Sequence, residues 1–78
     1  MANIISMNQV KIARMTHVQI LSEAVRCGRF MESIAGKARM TAEQKDWCTR
    51  IFNEAIIRSQ DDMMIYNCKA ALSVLKFF

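Results

Sequence analysis

The last sixteen residues, Met63–Phe78, are apolar at all but four positions, which are Asn67, Lys69, Ser73 and Lys76. At the spacing of an α-helix, these apolar residues form two sides rather than one stripe. One side consists of Met63, Tyr66, Ala70, Val74 and Phe77, and the other of Met64, Cys68, Ala71, Leu75 and Phe78. A helix that is apolar around most of its circumference must be covered on most of it.

One chain of 78 residues is too small to cover both sides of such a helix. The segment is also too short to span a membrane and contains two lysines, so a bilayer is not its expected partner. We therefore predict a homo-oligomer, most simply a dimer. The candidate interface residues are Met64, Cys68, Leu72, Leu75 and Phe78.

A helix is predicted to begin after Thr41, because Thr41 and Gln44 have the spacing of a capping box. Its apolar stripe contains three aromatic residues that we expect to be buried: Trp47, Phe52 and Tyr66. Without a break, a helix over residues 42–76 would be about 50 Å long, whereas a compact chain of this size is about 30 Å across. We expect either a break near residues 59–62, with Ser59 capping a fourth helix, or a helix that reaches a second subunit.

The first helix is predicted to start at Ser6, which forms another capping-box pattern with Gln9. Its apolar face consists of Met7, Val10, Ala13, Val18, Leu21, Ala24 and Val25. Ile12 and Met15 fall on the polar side, so we expect them to be exposed or covered by a partner. Gly28 is the predicted stop, because glycine readily adopts the left-handed conformation that ends helices.

A short second helix is then predicted over Arg29–Met40. No segment alternates with period two for long enough to predict a strand. The sequence therefore predicts an all-α fold: one domain over residues 1–78, built as a small bundle of three or four helices with a long C-terminal helical region.

Charge is unevenly distributed along the chain, which has a formal net charge of +4. The excess lies in residues 1–40, because acidic and basic residues balance in the remainder. Four basic residues, with Glu32 opposing them, surround Gly28 and the predicted second helix: Arg26, Arg29, Lys37 and Arg39. This basic cluster is either a solvated surface or a site for nucleic acid, a nucleotide or an acidic protein.

Catalytic chemistry has few candidate residues in this sequence. His17 is the single histidine, and its predicted position on the apolar face of the first helix favours a hydrogen-bonded core or interface residue. Asp61 and Asp62 are adjacent, so on a helix they point in different directions and cannot share a proton. Glycine-rich phosphate loops and nucleophile elbows are absent from the sequence. We expect a protein that is not an enzyme and has no cofactor.

The three cysteines, Cys27, Cys48 and Cys68, together with His17 include the ligand types of a zinc site. Structural zinc sites usually contain closely spaced ligand pairs, which this sequence lacks. Residues 1–6 also lack the basic start and apolar run of a signal peptide. We therefore expect packed, reduced thiols, no metal and a cytoplasmic location.

The segment around Gly28 resembles the helix-turn-helix motif of DNA-binding proteins. Ala24, Gly28 and Ile34 match the spacing of the motif's small residue, turn glycine and buried aliphatic residue. Arg29 and Lys37 depart from the motif, because they stand where it has apolar residues. The resemblance implies a helix that reads DNA within the basic half of the chain.

Taken together, the residues favour a non-catalytic homo-oligomeric binding protein that regulates, inhibits or sequesters a partner protein. In size and in its lack of a catalytic set, the chain is similar to accessory proteins of phages and mobile elements. A nucleic-acid-binding regulator that uses the basic half is the first alternative. The second is an oligomer that binds a small anionic ligand, such as a nucleotide, at its subunit boundaries.

Overall fold

The computed structural model describes residues 7–78, which form four α-helices and no strand. The helices are α1 (Met7–Ala13), α2 (His17–Ile34), α3 (Ala42–Arg58) and α4 (Asp62–Leu75). The all-helical prediction is confirmed, and so is the break near residues 59–62. Ser6, the predicted start of the first helix, lies outside the described residues.

The helix α3 is the centre of the fold. It packs against α1, α2 and α4, whereas α2 and α4 make few direct contacts with each other. Its inward positions are Cys48, Ile51, Phe52 and Ala55, which recur at helical spacing and are all buried. The chain measures 38 × 30 × 17 Å, and the smallest dimension is about that of two packed helices. Each outer helix therefore keeps one side exposed to solvent.

Two threonines start α2 and α3 in the same way. Thr41 Oγ1 accepts a hydrogen bond from the backbone N–H of Gln44 at 3.1 Å, and the Gln44 side chain accepts one from the Thr41 N–H at 2.9 Å. Thr16 and Gln19 form an identical capping box at the same two distances. The box at Thr41 was predicted, but the one at Thr16 was missed, and it divides the predicted first helix in two.

The apolar face was predicted for one continuous helix. Because the chain breaks before Thr16, the residues of α2 point in other directions than that helix would give them, and the predicted face is wrong. Ile12 and Met15 were placed on the polar side, yet Ile12 is 4% exposed and Met15 packs against the core. Arg58 Nη1 stabilises the break by donating a hydrogen bond to the Met15 carbonyl at 2.6 Å. Conversely, Val18 is 74% exposed, and His17 lies exposed in the first turn of α2 rather than in a core.

The prediction that Gly28 ends a helix is wrong, because α2 continues through it to Ile34. A separate helix over Arg29–Met40 does not exist, and a helix-turn-helix with its turn at Gly28 is therefore contradicted. Gly36, with φ of +72°, is the glycine that adopts the left-handed conformation after the helix. At the end of the following loop, the Met40 N–H donates to a C-terminal oxygen of Phe78 at 2.9 Å.

The turn between α3 and α4 also differs in detail from its prediction. Asp61, not Ser59, caps α4, since its carboxylate accepts a hydrogen bond from the Met63 N–H at 2.9 Å. Ser59 ends α3, and its hydroxyl accepts a hydrogen bond from the Asp61 N–H at 3.0 Å. These bonds fix the angle at which α4 returns along α3.

The short helix α1 is attached to α3 by an apolar and a polar contact. Ile12 enters the core, and Asn8 Nδ2 donates a hydrogen bond to Asp46 Oδ2 at 3.1 Å. Arg50 Nε also donates to Asp46, at 3.0 Å. The hydrogen bond from Asn8, followed by that from Arg50, lowers the pKa of the Asp46 carboxyl.

The two glycines provide a matched test of this fold. A Cβ added at Gly28 would meet no atom within 4 Å, so Gly28→Ala should raise the free energy of unfolding by about 0.5–1 kcal/mol. Gly36→Ala should lower it by about 1–2 kcal/mol, because its φ of +72° disfavours a Cβ. Urea denaturation of both variants measures whether the free energy of unfolding rises or falls in each. Destabilisation by Gly28→Ala would contradict a continuous α2.

The contact between α1 and α3 should depend on pH. Because the folded-state pKa of Asp46 is lowered, its stabilising contribution is complete above the unfolded pKa of about 3.9 and is lost as pH falls through the folded value. Asn8→Ala should raise the pKa of Asp46 towards its ordinary value, as followed by NMR titration of the carboxyl carbon. An unchanged titration would show that Asn8 does not bind Asp46 in solution.

Candidate functional site

The helices α2 and α4 are separated by an open groove with a volume of about 610 Å³. It exists because both helices pack on α3 and make few direct contacts with each other. Phe52 of α3, which is 2% exposed, is the α3 residue that lines it. The residues contributed by α2 and its C-terminal cap are Ala24, Val25, Gly28, Arg29, Met31, Glu32 and Ala35. The other wall consists of Met64, Asn67, Cys68, Ala71, Val74 and Phe78.

Small residues keep this groove open along much of its length. Ala24, Gly28 and Ala35 line one wall and Ala71 the other. Because a Cβ at Gly28 would have open space around it, the α2 backbone is approachable there. Packed helices lie closer together when the side chains at their contact are small. Another helix can therefore pack closely into this groove.

Two charged residues, Arg29 and Glu32, also line the groove and lie one helical turn apart on α2. Both side chains are exposed. Within residues 7–78, neither forms an ion pair or a hydrogen bond with another side chain. The groove therefore offers one positive and one negative group to whatever occupies it.

The exposed side of α4 is apolar. It consists of Met63, Tyr66, Ala70, Val74 and Phe77, which we call the α4 stripe, and all five residues are exposed. Tyr66 is 69% exposed and Phe77 72% exposed. The predicted burial of Tyr66 is therefore wrong, because the turn at residues 59–61 stops the α3 stripe from continuing into α4. Val74 belongs to both the α4 stripe and the groove.

The five predicted interface residues lie on the opposite side of α4. Cys68 and Leu75 are buried in the core, and Met64, Leu72 and Phe78 pack against it. The physical reason is that α3 presents an apolar face to this side of α4. Three of the five, Met64, Cys68 and Phe78, also line the open groove, whereas the α4 stripe lies on the solvent side of α4.

All four residues of the basic cluster are exposed. Arg26 and Arg29 lie on α2, and Lys37 and Arg39 lie in the loop before α3. Arg26 is 3.4 Å from Glu23, but its side chain is 80% exposed, so this ion pair contributes little. Of the four residues, Arg29 is the one that lines the groove.

The cysteines are free and buried, but they do not share one site. Cys27 of α2 and Cys48 of α3 line the same cavity, whereas Cys68 Sγ lies 3.8 Å from Met64 Sδ on α4. The region from residue 7 onward contains no group of three or more His, Cys, Asp or Glu residues that could hold a metal ion. Sequence reasoning missed the thiol pair, since residues 27 and 48 have no spacing that signals contact.

Comparison of the chain with protein-family models, curated proteins and solved structures finds no match. None of the four helices is long and apolar enough to cross a membrane. The function is therefore argued from the groove, the α4 stripe and the basic cluster themselves.

Proposed function

We propose that the protein is a small, non-catalytic binding protein that acts as a homodimer, in which the α4 stripe of each copy lies in the groove of the other. The supporting observation is that an exposed apolar stripe continues directly into an open apolar groove on the same molecule. A helix with an uncovered apolar side gains free energy when that side is removed from water.

Shape favours a second copy as the occupant. A two-fold interface requires a surface that is complementary to itself. The α4 stripe is a convex helix face and the groove is a concave one, and they share Val74. A rotation that places one copy's stripe in the other's groove therefore covers both features in each subunit.

Charge favours the same occupant. The α4 stripe contains no charged residue, and helical spacing places Lys69 and Lys76 on a different side of α4. Across a two-fold axis, Arg29 of one copy can pair with Glu32 of the other, and the reciprocal pair follows by symmetry. The two ionic groups of the groove would then neutralise each other between subunits.

The available area is sufficient for such a dimer. A stable interface buries about 800 Å² per partner, which is about one seventh of the 5807 Å² that the chain exposes. An aromatic side chain buries about 150–250 Å² when it is enclosed. Tyr66 and Phe77 would be the anchors, and Met63, Val74 and Val25 would contribute most of the remaining apolar area.

The dimer would present three residues of the basic cluster in each copy, Arg26, Lys37 and Arg39. All three lie outside the groove lining, so they stay available to a partner with an acidic surface. Such a partner fits the role of regulator, inhibitor or sequestering protein. Nucleic acid is the second candidate, supported by the same exposed basic residues of α2 and its following loop.

Single substitutions in the α4 stripe should dissociate the dimer. Tyr66→Lys and Phe77→Lys should each weaken self-association by about 30-fold or more, the effect of a hot-spot residue. Light scattering during gel filtration should give twice the 9.0 kDa chain mass for the wild type and the monomer mass for both variants. Ile57→Lys is the matched control, because Ile57 is 76% exposed but lies on α3.

A charge exchange tests the geometry of the same dimer. Arg29→Glu and Glu32→Arg alone should each weaken association, because like charges then meet across the axis, and the double variant should restore it. A wild type that is monomeric at every concentration, or an Ile57→Lys variant that dissociates like Phe77→Lys, would refute the proposed interface.

The basic cluster can be tested against nucleic acid directly. We expect a labelled duplex of about 20 base pairs to bind no more tightly than about 10⁻⁶ M at physiological salt, as non-specific binding does. Lys37→Ala/Arg39→Ala should change the free energy of unfolding by less than about 0.5 kcal/mol, because both residues are exposed. Nanomolar binding that this double variant abolishes would replace the acidic protein partner with nucleic acid.

A further inference from the structure

The interior contains two neighbouring thiols on different helices. Cys27 of α2 is 4% exposed and Cys48 of α3 is 3% exposed, and both belong to the core. The helices α2 and α3 pack against each other, and the two thiols are close enough for each to change the pKa of the other. They are also the two cysteines that line a second cavity of about 630 Å³ between α1, α2 and α3.

A hydrogen bond between side chains next to the two cysteines connects α2 to α3. Trp47 Nε1 donates a hydrogen bond to Glu23 Oε2 at 2.8 Å. Trp47 directly precedes Cys48, and Glu23 lies one turn before Cys27. The bond between Trp47 and Glu23 therefore connects α2 to α3 beside the sulfur atoms and limits their separation.

The two thiols differ in acidity. The interaction between the two thiols lowers the pKa of Cys48 and, together with burial, raises that of Cys27. Cys48 is therefore the better candidate for the attacking thiolate, and Cys27 for the thiol that reacts second.

We propose that Cys27 and Cys48 are a modification site, at which a small hydroperoxide oxidises them to a reversible disulfide between α2 and α3. The Cys48 thiolate attacks one oxygen of the hydroperoxide, the O–O bond breaks, and the other oxygen leaves with a proton as alcohol or water. The product is a sulfenic acid on Cys48. The Cys27 sulfur then attacks the Cys48 sulfur, an S–S bond forms, the S–O bond breaks, and water leaves.

The electrons balance within the chain and its oxidant. The thiol pair loses two electrons and the hydroperoxide gains two, so no further reductant is needed. The cavity beside the sulfur atoms provides the space for the oxidant, and it is also lined by Lys11 and Asn8. The reaction occurs inside one chain, so it does not depend on the proposed dimer.

Cys68 is a built-in control for this chemistry. It is 2% exposed, much like the other two cysteines, but it contacts Met64 and not another thiol. Burial raises the pKa of its thiol. Oxidation should therefore leave Cys68 as a thiol under conditions that link Cys27 to Cys48.

The experiment treats the full chain, and a Cys68→Ala variant, with one equivalent of hydrogen peroxide. The protein is then alkylated under denaturing conditions, and its mass is measured. We expect the treated wild type to take up one alkyl group, at Cys68, and the treated Cys68→Ala variant to take up none. Both should show a peptide cross-link between Cys27 and Cys48 and recover the two thiols with dithiothreitol. The oxidised protein should melt about 10 °C or more above the reduced form, because the bond restricts the unfolded chain.

Two single variants test the assigned roles. The Cys27→Ser variant lacks the thiol that reacts second, so sulfenic acid should accumulate on Cys48 and be labelled by a dimedone probe. The Cys48→Ser variant should give little dimedone label on Cys27. Alkylation of both thiols in the treated wild type would overturn the proposal, as would a disulfide found between chains instead of within one. Both readings come from the wild-type protein and do not depend on how well the variants fold.

Discussion

The packing of three helices on α3 determines what every other part of the chain leaves uncovered. Ile51, Phe52 and Ala55 are almost fully enclosed, because α3 has a neighbour on three sides. The helices α2 and α4 each gain an inner face from this arrangement but have no helix between them. This packing on α3 is therefore the cause of two features. One is the groove that Phe52 lines, and the other is the apolar outer side of α4. A fold about two helices thick cannot cover the outer faces from within.

The sequence predicts the start of a helix correctly where a capping box coincides with the start of a new apolar stripe. Thr41 combined a capping box with a new apolar stripe, and α3 starts there. The same box at Thr16 was missed, because the apolar residues before and after it fit one continuous helical period. The residue type of Gly28 predicts a helix stop, but an interior glycine costs only about 1 kcal/mol. The packing of an 18-residue α2 on α3 outweighs that cost.

The candidate site was predictable in its residues but not in its orientation. The sequence showed that α4 has two apolar sides, yet it did not show which one faces α3. The turn at Ser59 and Asp61 decides this by setting the angle between the helices, so the predicted interface residues face the core and the groove, and the α4 stripe faces solvent. The proximity of Cys27 and Cys48 has no local sequence signal, because it arises from the packing of two separate helices.

The attachment of α1 has a consequence for the kinetics of the interior. Ile12 of α1 enters the core and Asn8 is hydrogen-bonded to Asp46, but α1 contacts α3 less extensively than α2 and α4 do. Helices with such limited contacts separate from the core in local opening events that leave the rest folded. Since Asn8 and Lys11 line the cavity beside Cys27 and Cys48, the opening frequency of α1 would set how often solvent reaches this part of the core.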